Sequence, residues 1–162
     1  GIYNERDKAV AALKQTLGDD SAYKIFRSFV KAQNGDISYI DDPSKFPISM
    51  YSIPVRSVKS GYISKIDTMA LGVSSMTLGA GRETLDDVID PAAGIILSKK
   101  LGDKVAKSDV ILTLYTEKPG MESLVSSILN NFDFSDDPIE VPSPVEERIS
   151  LNSTGTFVIE KE

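Results

Sequence analysis

The period of the hydrophobic pattern changes near residue 40, and this change most constrains the fold. Through residues 4–35 apolar side chains recur every three to four positions, which predicts two short amphipathic helices. After the segment Asp41-Asp42-Pro43-Ser44-Lys45-Phe46-Pro47, apolar and polar residues alternate as they do in strands. Each Pro fixes φ and disfavours helix at the preceding residue, so this segment is expected to be an extended connector between a helical and a strand-rich part.

The two expected helices have recognisable ends. Asn4 is placed to cap the first helix and Gly18 to end it. Asp20 or Ser21 can cap the second, which ends at Asn34-Gly35. Helices this short are not stable alone, so their apolar faces must be covered by something in this chain or outside it.

The strand-rich part alternates strands with short helices. Strands are expected over residues 52–58, 62–67, 93–97, 110–115 and 156–159, and helices over 68–78 and 121–128. The segment from Val110 to Tyr115 is the strongest strand signal in the sequence. Met69, Val73 and Met76 mark the expected apolar face of the first of these helices.

Composition excludes several classes of chemistry. The 162 residues include no Cys and no His, which excludes a disulfide framework, a zinc finger, haem ligation, a Ser-His-Asp triad and a Cys nucleophile. The formal net charge of −6 argues against a nucleic-acid binder, because neutralising phosphates requires clustered bases.

The excess of acids is local. Between Phe132 and Glu147 lie six acids and no base, which we interpret as a solvated acidic loop. No apolar run approaches the roughly 20 residues that span a bilayer, so a soluble, intracellular protein is expected. The first residue is Gly1 rather than Met, which indicates a cut or a cloning scar at the start of the sequence.

Two clusters could carry a ligand. Gly79-Ala80-Gly81-Arg82 could form an anion-binding nest, but a helix end followed by a close backbone approach explains the glycines more simply. Asp86, Asp87 and Asp90 lack the spacing of a calcium loop, so a solvated turn is favoured and no metal site is expected.

A third pattern is typical of carrier domains. Gly61-Tyr62-Ile63 and Gly94-Ile95-Ile96 each place a glycine before a short strand, as in lipoyl and biotinyl half-barrels. A carrier needs a Lys at an exposed hairpin tip upstream of the second glycine, and Leu78-Gly79-Ala80-Gly81-Arg82 has none, whereas Lys99 and Lys100 lie on the wrong side. A barrel-like sandwich without a prosthetic group is preferred to a stand-alone carrier module.

An ordered series of segments resembles the C-terminal part of the thymidine and pyrimidine-nucleoside phosphorylase family. The series is Ala32-Gln33-Asn34-Gly35-Asp36, Asp41-Asp42-Pro43-Ser44-Lys45, Ser60-Gly61-Tyr62-Ile63, Leu78-Gly79-Ala80-Gly81-Arg82, Ile89-Asp90-x-x-x-Gly94-Ile95 and Lys100-x-Gly102-Asp103-x-Val105. It runs from about Asp20 to Tyr115. Asn34 and Ser108 stand where the family usually has Gly, and nothing after Lys118 matches.

The resemblance implies an α+β fold, with an N-terminal helical stub followed by an α/β-hammerhead, barrel-sandwich-like domain of mostly antiparallel strands. Residues 1–40 would belong to an upstream catalytic domain, and residues 41–162 would form the C-terminal domain. The structural motif residues are Gly61, Gly79, Gly81, Arg82, Asp90, Gly94, Gly102 and Asp103.

The family cleaves pyrimidine nucleosides with phosphate, giving the free base and a pentose 1-phosphate. Its phosphate loop and base-binding residues precede the matched region. The resemblance therefore implies no catalytic, substrate-binding or metal-binding residue here and no cofactor, with phosphate a co-substrate of the intact enzyme. The expected partner is the upstream phosphate-binding domain within a cytoplasmic homodimer, without nucleic acid or membrane.

Overall fold

The computed structural model describes residues 2–145, 147–152 and 154–161, where it has an α+β fold. Gly1 and Glu146, the latter one of the six acids noted above, lie outside these residues. The chain divides into two compact units, one extending to Ile48 and the other beginning at Ser49.

The first unit is helical, as predicted. Its helices are α1 (Arg6–Gly18), α2 (Ser21–Ala32) and the single turn α3 (Ser38–Asp41). Asn4 does not cap α1, because the helix begins two residues later, after Glu5. Asp20 is the N-cap residue of α2, as expected, but its side chain makes no capping hydrogen bond, and Asp19 Oδ1 instead accepts a hydrogen bond from Ser21 N at 3.0 Å.

The Pro-containing connector is only partly extended. Pro43–Lys45 form a 3₁₀ turn, in which Asp42 Oδ1 accepts hydrogen bonds from Ser44 N at 3.2 Å and from Ser44 Oγ at 2.6 Å. The expectation of a continuous extended segment was wrong because Asp42 caps this turn, and a proline is tolerated in a turn's first position.

An ion pair joins α2 to α3. Arg27 Nε and Nη2 donate to the two carboxylate oxygens of Asp41 at 2.7 and 2.9 Å, and Tyr23 Oη donates to Oδ1 at 2.9 Å. The hydrogen bonds from Arg27 and then Tyr23 lower the pKa of Asp41 to about 2. This paired geometry fixes the single turn α3 against α2.

The second unit contains three antiparallel sheets in the described residues. The first has the order β1 (Tyr51–Arg56), β5 (Val110–Thr116), β3 (Gly94–Leu97), and the second has the order β4 (Lys104–Val105), β2 (Gly61–Ile66), β6 (Phe132–Ser135). The third is the hairpin of β7 (Glu147–Leu151) and β8 (Phe157–Lys161). The segment predicted as the strongest strand is confirmed and is the central strand of the first sheet.

Both three-stranded sheets contribute to one hydrophobic core, which α4 (Thr68–Ser75) and α5 (Glu122–Leu129) complete. The buried residues are Val55, Ile63, Leu71, Leu78, Val105, Ile111, Leu112, Leu114, Ile128 and Phe132. They come from five strands, both helices and the turn that follows α4. The second unit therefore has a core of its own.

One expectation about burial was wrong. Met69 and Val73 are 79% and 56% exposed, and α4 buries Leu71 instead, because a different side of the helix joins the hydrophobic core. The strand β3 lies at a sheet edge and leaves Ile96 58% exposed.

Two residues other than glycine adopt a left-handed backbone where the resembled family usually has Gly. Asn34 has φ 59° and follows the end of α2, and Ser108 has φ 77° in the turn before β5. Asn adopts the left-handed backbone conformation readily, whereas in Ser the Cβ lies unfavourably close to the neighbouring carbonyl oxygen. The glycine preference at both positions therefore has a local conformational cause.

The Asp41 ion pair predicts an acid-sensitive first unit. Asp41→Asn should lower the melting temperature at pH 7, because it removes the charged acceptor shared by Arg27 and Tyr23. A carboxylate whose folded pKa is depressed stabilises above its unfolded pKa of about 3.9 and loses that effect as pH falls toward 2. The difference in melting temperature between wild type and variant should therefore shrink across that pH interval. Circular dichroism at 222 nm measures both melting temperatures.

Asp20→Asn is the control for this measurement, because it removes a nearby charge without touching either hydrogen-bonding partner of Asp41. An equal loss of melting temperature in both variants would show that net charge, not the ion pair, causes the effect.

The left-handed backbone at Ser108 predicts a stabilising substitution. Ser108→Gly should raise the free energy of unfolding by about 0.5–1 kcal/mol, since relief of the left-handed cost exceeds the entropy that glycine adds to the unfolded chain. Urea denaturation measures the change. Ser108→Ala, which removes the hydroxyl but keeps a Cβ, should give no increase, and an increase there would refute the conformational explanation.

Candidate functional site

The glycine-rich turn of the sequence follows α4. Residues Met76–Ala80 form a π-helical turn, in which Gly79 has φ 114° and ends the helix. Gly79 O accepts a hydrogen bond from Asp90 N at 2.9 Å, so the structure brings these two motif residues together. Thr116 Oγ1 donates to Leu78 O at 2.7 Å in the buried interior and holds the same turn on β5.

Gly81 is required by a close approach. A Cβ at this position would lie 2.7 Å from Met76 Cγ, which is too close for a real contact. The neighbouring Arg82 is exposed and does not line the cavity beside this turn. The glycines of this motif therefore serve chain packing at the end of α4.

Asp90 organises the turn that leads into β3. Its Oδ1 accepts a hydrogen bond from Ala92 N at 2.9 Å, and its main-chain oxygen accepts one from Ala93 N at 3.2 Å. Its other carboxylate oxygen, Oδ2, is buried and has no hydrogen-bond partner within the described residues.

A cavity of about 340 Å³ lies beside these residues. Its polar lining consists of the carboxylates of Glu83, Asp87, Asp90 and Glu117 and the ammonium of Lys118. Four acids against one base repel an anion, so the geometry does not favour the phosphate-nest interpretation.

Most of these side chains already bind the protein's own main chain. Asp87 accepts hydrogen bonds from Glu83 N and Thr84 N at 2.9 and 2.8 Å, and the contact with Thr84 lowers its pKa. Glu117 Oε1 accepts from Met50 N at 2.7 Å, and Lys118 Nζ donates to Thr77 O at 2.8 Å. In the part of the chain that the structure describes, no three or more Asp or Glu side chains are placed so that together they could hold a metal ion.

The remaining motif residues form the contacts between strands. Gly61 pairs with Val105, and Gly94 pairs with Tyr115. Gly102 N donates to Ile63 O at 2.8 Å. Asp103 Oδ2 accepts from Lys100 N at 2.7 Å and closes the turn before β4.

The lysines near this turn do not meet the requirement of a carrier domain. Lys99 and Lys100 lie between β3 and β4, which belong to different sheets, so they are not at the tip of a hairpin. Lys99 Nζ donates to Lys104 O at 3.3 Å.

The first unit exposes a large apolar surface on α2. We define the α2 apolar face as Ala22, Ile25, Phe26 and Phe29. Ile25 is 73% exposed and Phe29 is 60% exposed, and a groove of about 510 Å³ runs along this face. No residue of α1 or α2 is buried. The sequence pattern predicted this face and its need for a cover.

The strand contacts of Gly61 predict a sharp difference between two glycine substitutions. A Cβ at Gly61 would lie 2.5 Å from Ser135 O in β6, and its φ is 143°. Gly61→Ala should lower the free energy of unfolding by about 2–3 kcal/mol, because a main-chain oxygen cannot move aside cheaply. Gly72→Ala should raise it by up to about 1 kcal/mol, because Gly72 lies within α4 with open space around it.

Urea denaturation of the two variants tests this prediction. Equal stability of Gly61→Ala and the wild type would show that β6 does not hold its position against β2.

Among the described residues, no helix combines the length and the apolar character that a membrane span requires.

Comparison with known proteins gives one consistent result. The family model of the pyrimidine nucleoside phosphorylase C-terminal domain matches residues 62–135. The pyrimidine-nucleoside phosphorylase of Geobacillus stearothermophilus is 36% identical over 144 residues, covering 89% of this chain and 33% of that protein. The Bacillus subtilis (strain 168) protein of the same name is 41% identical over 125 residues, covering 77% of this chain and 29% of that protein.

The chain thus spans about a third of the length of the curated relatives it matches. The matched region contains β4, β6 and all of β2 except Gly61, together with both helices of the core and the motif residues from Gly79 to Asp103. It extends to Ser135, so the expectation that nothing after Lys118 matches the family was wrong. The carrier interpretation is not favoured by these matches. The chain belongs to the pyrimidine-nucleoside phosphorylase family, as a C-terminal portion that includes that family's C-terminal domain.

Proposed function

We propose that this chain is the non-catalytic C-terminal part of a pentosyltransferase that cleaves pyrimidine nucleosides with phosphate. The products are the free base and ribose or deoxyribose 1-phosphate, which makes the whole protein a glycosyltransferase of pyrimidine salvage in the cytoplasm. The observation that carries the proposal is the match of residues 62–135 to the family's C-terminal domain.

The charge of the cavity supports an inactive role for this part alone. Phosphorolysis brings a phosphate oxygen to the anomeric carbon of an oxocarbenium-like sugar, which requires cationic and hydroxyl groups around the phosphate. The cavity beside Gly79 instead offers four carboxylates and one ammonium, several of them bound to the main chain. Residues that bind phosphate and base therefore belong to the upstream part of the enzyme.

The two parts of the sequence belong to different domains of the enzyme. Residues 1–40 belong to the upstream catalytic domain as helices of its periphery. Residues 41–162 form the C-terminal domain, whose two three-stranded sheets we assign to the α/β-hammerhead arrangement of the family. The intact enzyme is a homodimer whose dimer contacts lie upstream.

The α2 apolar face is the surface that the upstream part covers. The relatives are about three times as long as the stretch that this chain matches, so most of such an enzyme lies outside it. Burial of a large apolar side chain contributes about 1.5–3 kcal/mol. Ile25, Phe26 and Phe29, each at least half exposed, are thus strong contributors to docking.

A chimera tests both proposals. In the Geobacillus stearothermophilus relative, the segment that aligns with this chain is replaced by this chain, and phosphate-dependent release of thymine or uracil is measured. The chimera should be active, whereas this chain alone should release no base above background. Ile25→Glu combined with Phe29→Glu should reduce activity of the chimera at least about tenfold, because two buried carboxylates would oppose docking.

Lys24→Glu is the matched control, because it places a carboxylate on the opposite side of the same helix. It should leave activity within about twofold of the unsubstituted chimera. Turnover by this chain alone near that of the relative would refute the non-catalytic role. Full activity of the Ile25→Glu, Phe29→Glu chimera would refute docking through the α2 apolar face.

A further inference from the structure

We propose that Asn34 is a site of spontaneous deamidation, and that the hydrogen bond from Gly35 N to Val30 O limits its rate in the folded protein. Asn34-Gly35 is the one place in the sequence where Asn precedes Gly. A following glycine has no side chain to obstruct attack by its main-chain nitrogen on the Asn side-chain amide. Both residues are exposed, so water and hydroxide reach them.

The backbone conformation and packing at the end of α2 favour this reactive pair of residues. A Cβ at Gly35 would lie 2.7 Å from Val30 Cγ1 and 3.1 Å from Val30 O, so only glycine fits. The preceding residue has φ 59°, which favours Gly or Asn. Gly at position 34 would meet the same backbone requirement without a labile amide, so the presence of Asn creates the site.

The reaction needs only water and base. The main-chain nitrogen of Gly35 loses its proton to solvent and forms a bond with Cγ of Asn34. The bond from Cγ to the side-chain nitrogen breaks, and ammonia leaves with a proton, giving a cyclic imide. Water then adds to either imide carbonyl and leaves aspartate or isoaspartate, without oxidation or reduction.

The native structure slows the first step. Gly35 N donates its hydrogen bond to Val30 O at 2.9 Å, and Asn34 N donates to Lys31 O at 3.0 Å. Both bonds must open before the nitrogen can lose its proton and turn toward Cγ. Modification therefore proceeds through local opening of the last turn of α2, which protects the site in proportion to its stability.

The product changes the end of α2. A carboxylate at position 34 lies at the negative end of the helix dipole and two residues from Asp36, so it opposes the helical state. Isoaspartate also adds a methylene group to the main chain and displaces Gly35 from Val30. Both products weaken the helix that carries the α2 apolar face.

The test compares the full chain in buffer with the same chain in concentrated urea, both at pH 8.5 and 37 °C over several days. Peptide mapping by mass spectrometry measures the gain of one mass unit at Asn34, and isoaspartate methylation measures the second product. Asn131, which precedes the bulky Phe132, serves as the internal comparison. Asn34→Gly fits the positive φ and should remove the fastest modification without unfolding the chain.

We expect Asn34 to be the first Asn modified in urea and to react at least about tenfold more slowly in the folded chain. Equal rates in buffer and urea would overturn the protective role of the hydrogen bond. If another Asn were modified before Asn34, or if Asn34 were not modified in urea, the assignment of Asn34 as the deamidation site would be overturned.

Discussion

The second unit depends on the burial and pairing of its central strand, β5. This strand pairs with β1 on one side and β3 on the other, so two segments that are separate in sequence meet on it. Ile111, Leu112 and Leu114 are fully buried there, on both faces of the sheet, which is unusual for a short antiparallel sheet.

At the end of β5, the buried Thr116 donates to Leu78 O and fixes the turn that contains Gly79. The position of the glycine-rich turn is therefore a consequence of strand packing, since the Thr116 hydroxyl connects this turn to β5.

The glycine and aspartate motif is explained by geometry without any chemical step. Gly61 lies against the main chain of β6, Gly81 against Met76, and Gly79 ends a helix. Asp90 and Asp103 each accept hydrogen bonds from the main chain of nearby turns. A family pattern made of such residues marks the positions where the main chain lies close to a neighbouring segment or turns sharply. A sequence can therefore match an enzyme family over its C-terminal domain through residues of this kind. The buried Oδ2 of Asp90 is the exception among these groups, because nothing in the described residues satisfies it.

The sequence predicted those elements whose own side chains determine them. The helix α2 has a clear apolar stripe and β5 a continuous β-branched and apolar run, and both formed where expected. The strands β4, β6 and β7 were not foreseen, because each is short and is stabilised by its pairing partner, which is β2 for β4 and β6 and β8 for β7. The burial of α4 was misassigned for a similar reason. Met69 and Leu71 are both apolar, and the sequence alone does not show which side of α4 joins the core. The cavity was not predictable, because Glu117 and Lys118 are distant in sequence from Gly79 and reach it through the register of β5.

The contrast between the two units concerns where apolar surface is buried. The second unit buries a hydrophobic core of its own between its two three-stranded sheets and the helices α4 and α5. The first unit has a well-formed amphipathic helix and an ion pair between Arg27 and Asp41, yet α1 and α2 bury no residue. Paired charges at a surface contribute little to stability compared with apolar burial. The first unit is therefore stabilised mainly by a contact that covers the α2 apolar face. The ion pair instead fixes the geometry in which this face is exposed. A helix built in this way is suited to docking, because its fold is specified locally and its stability is supplied by the contact.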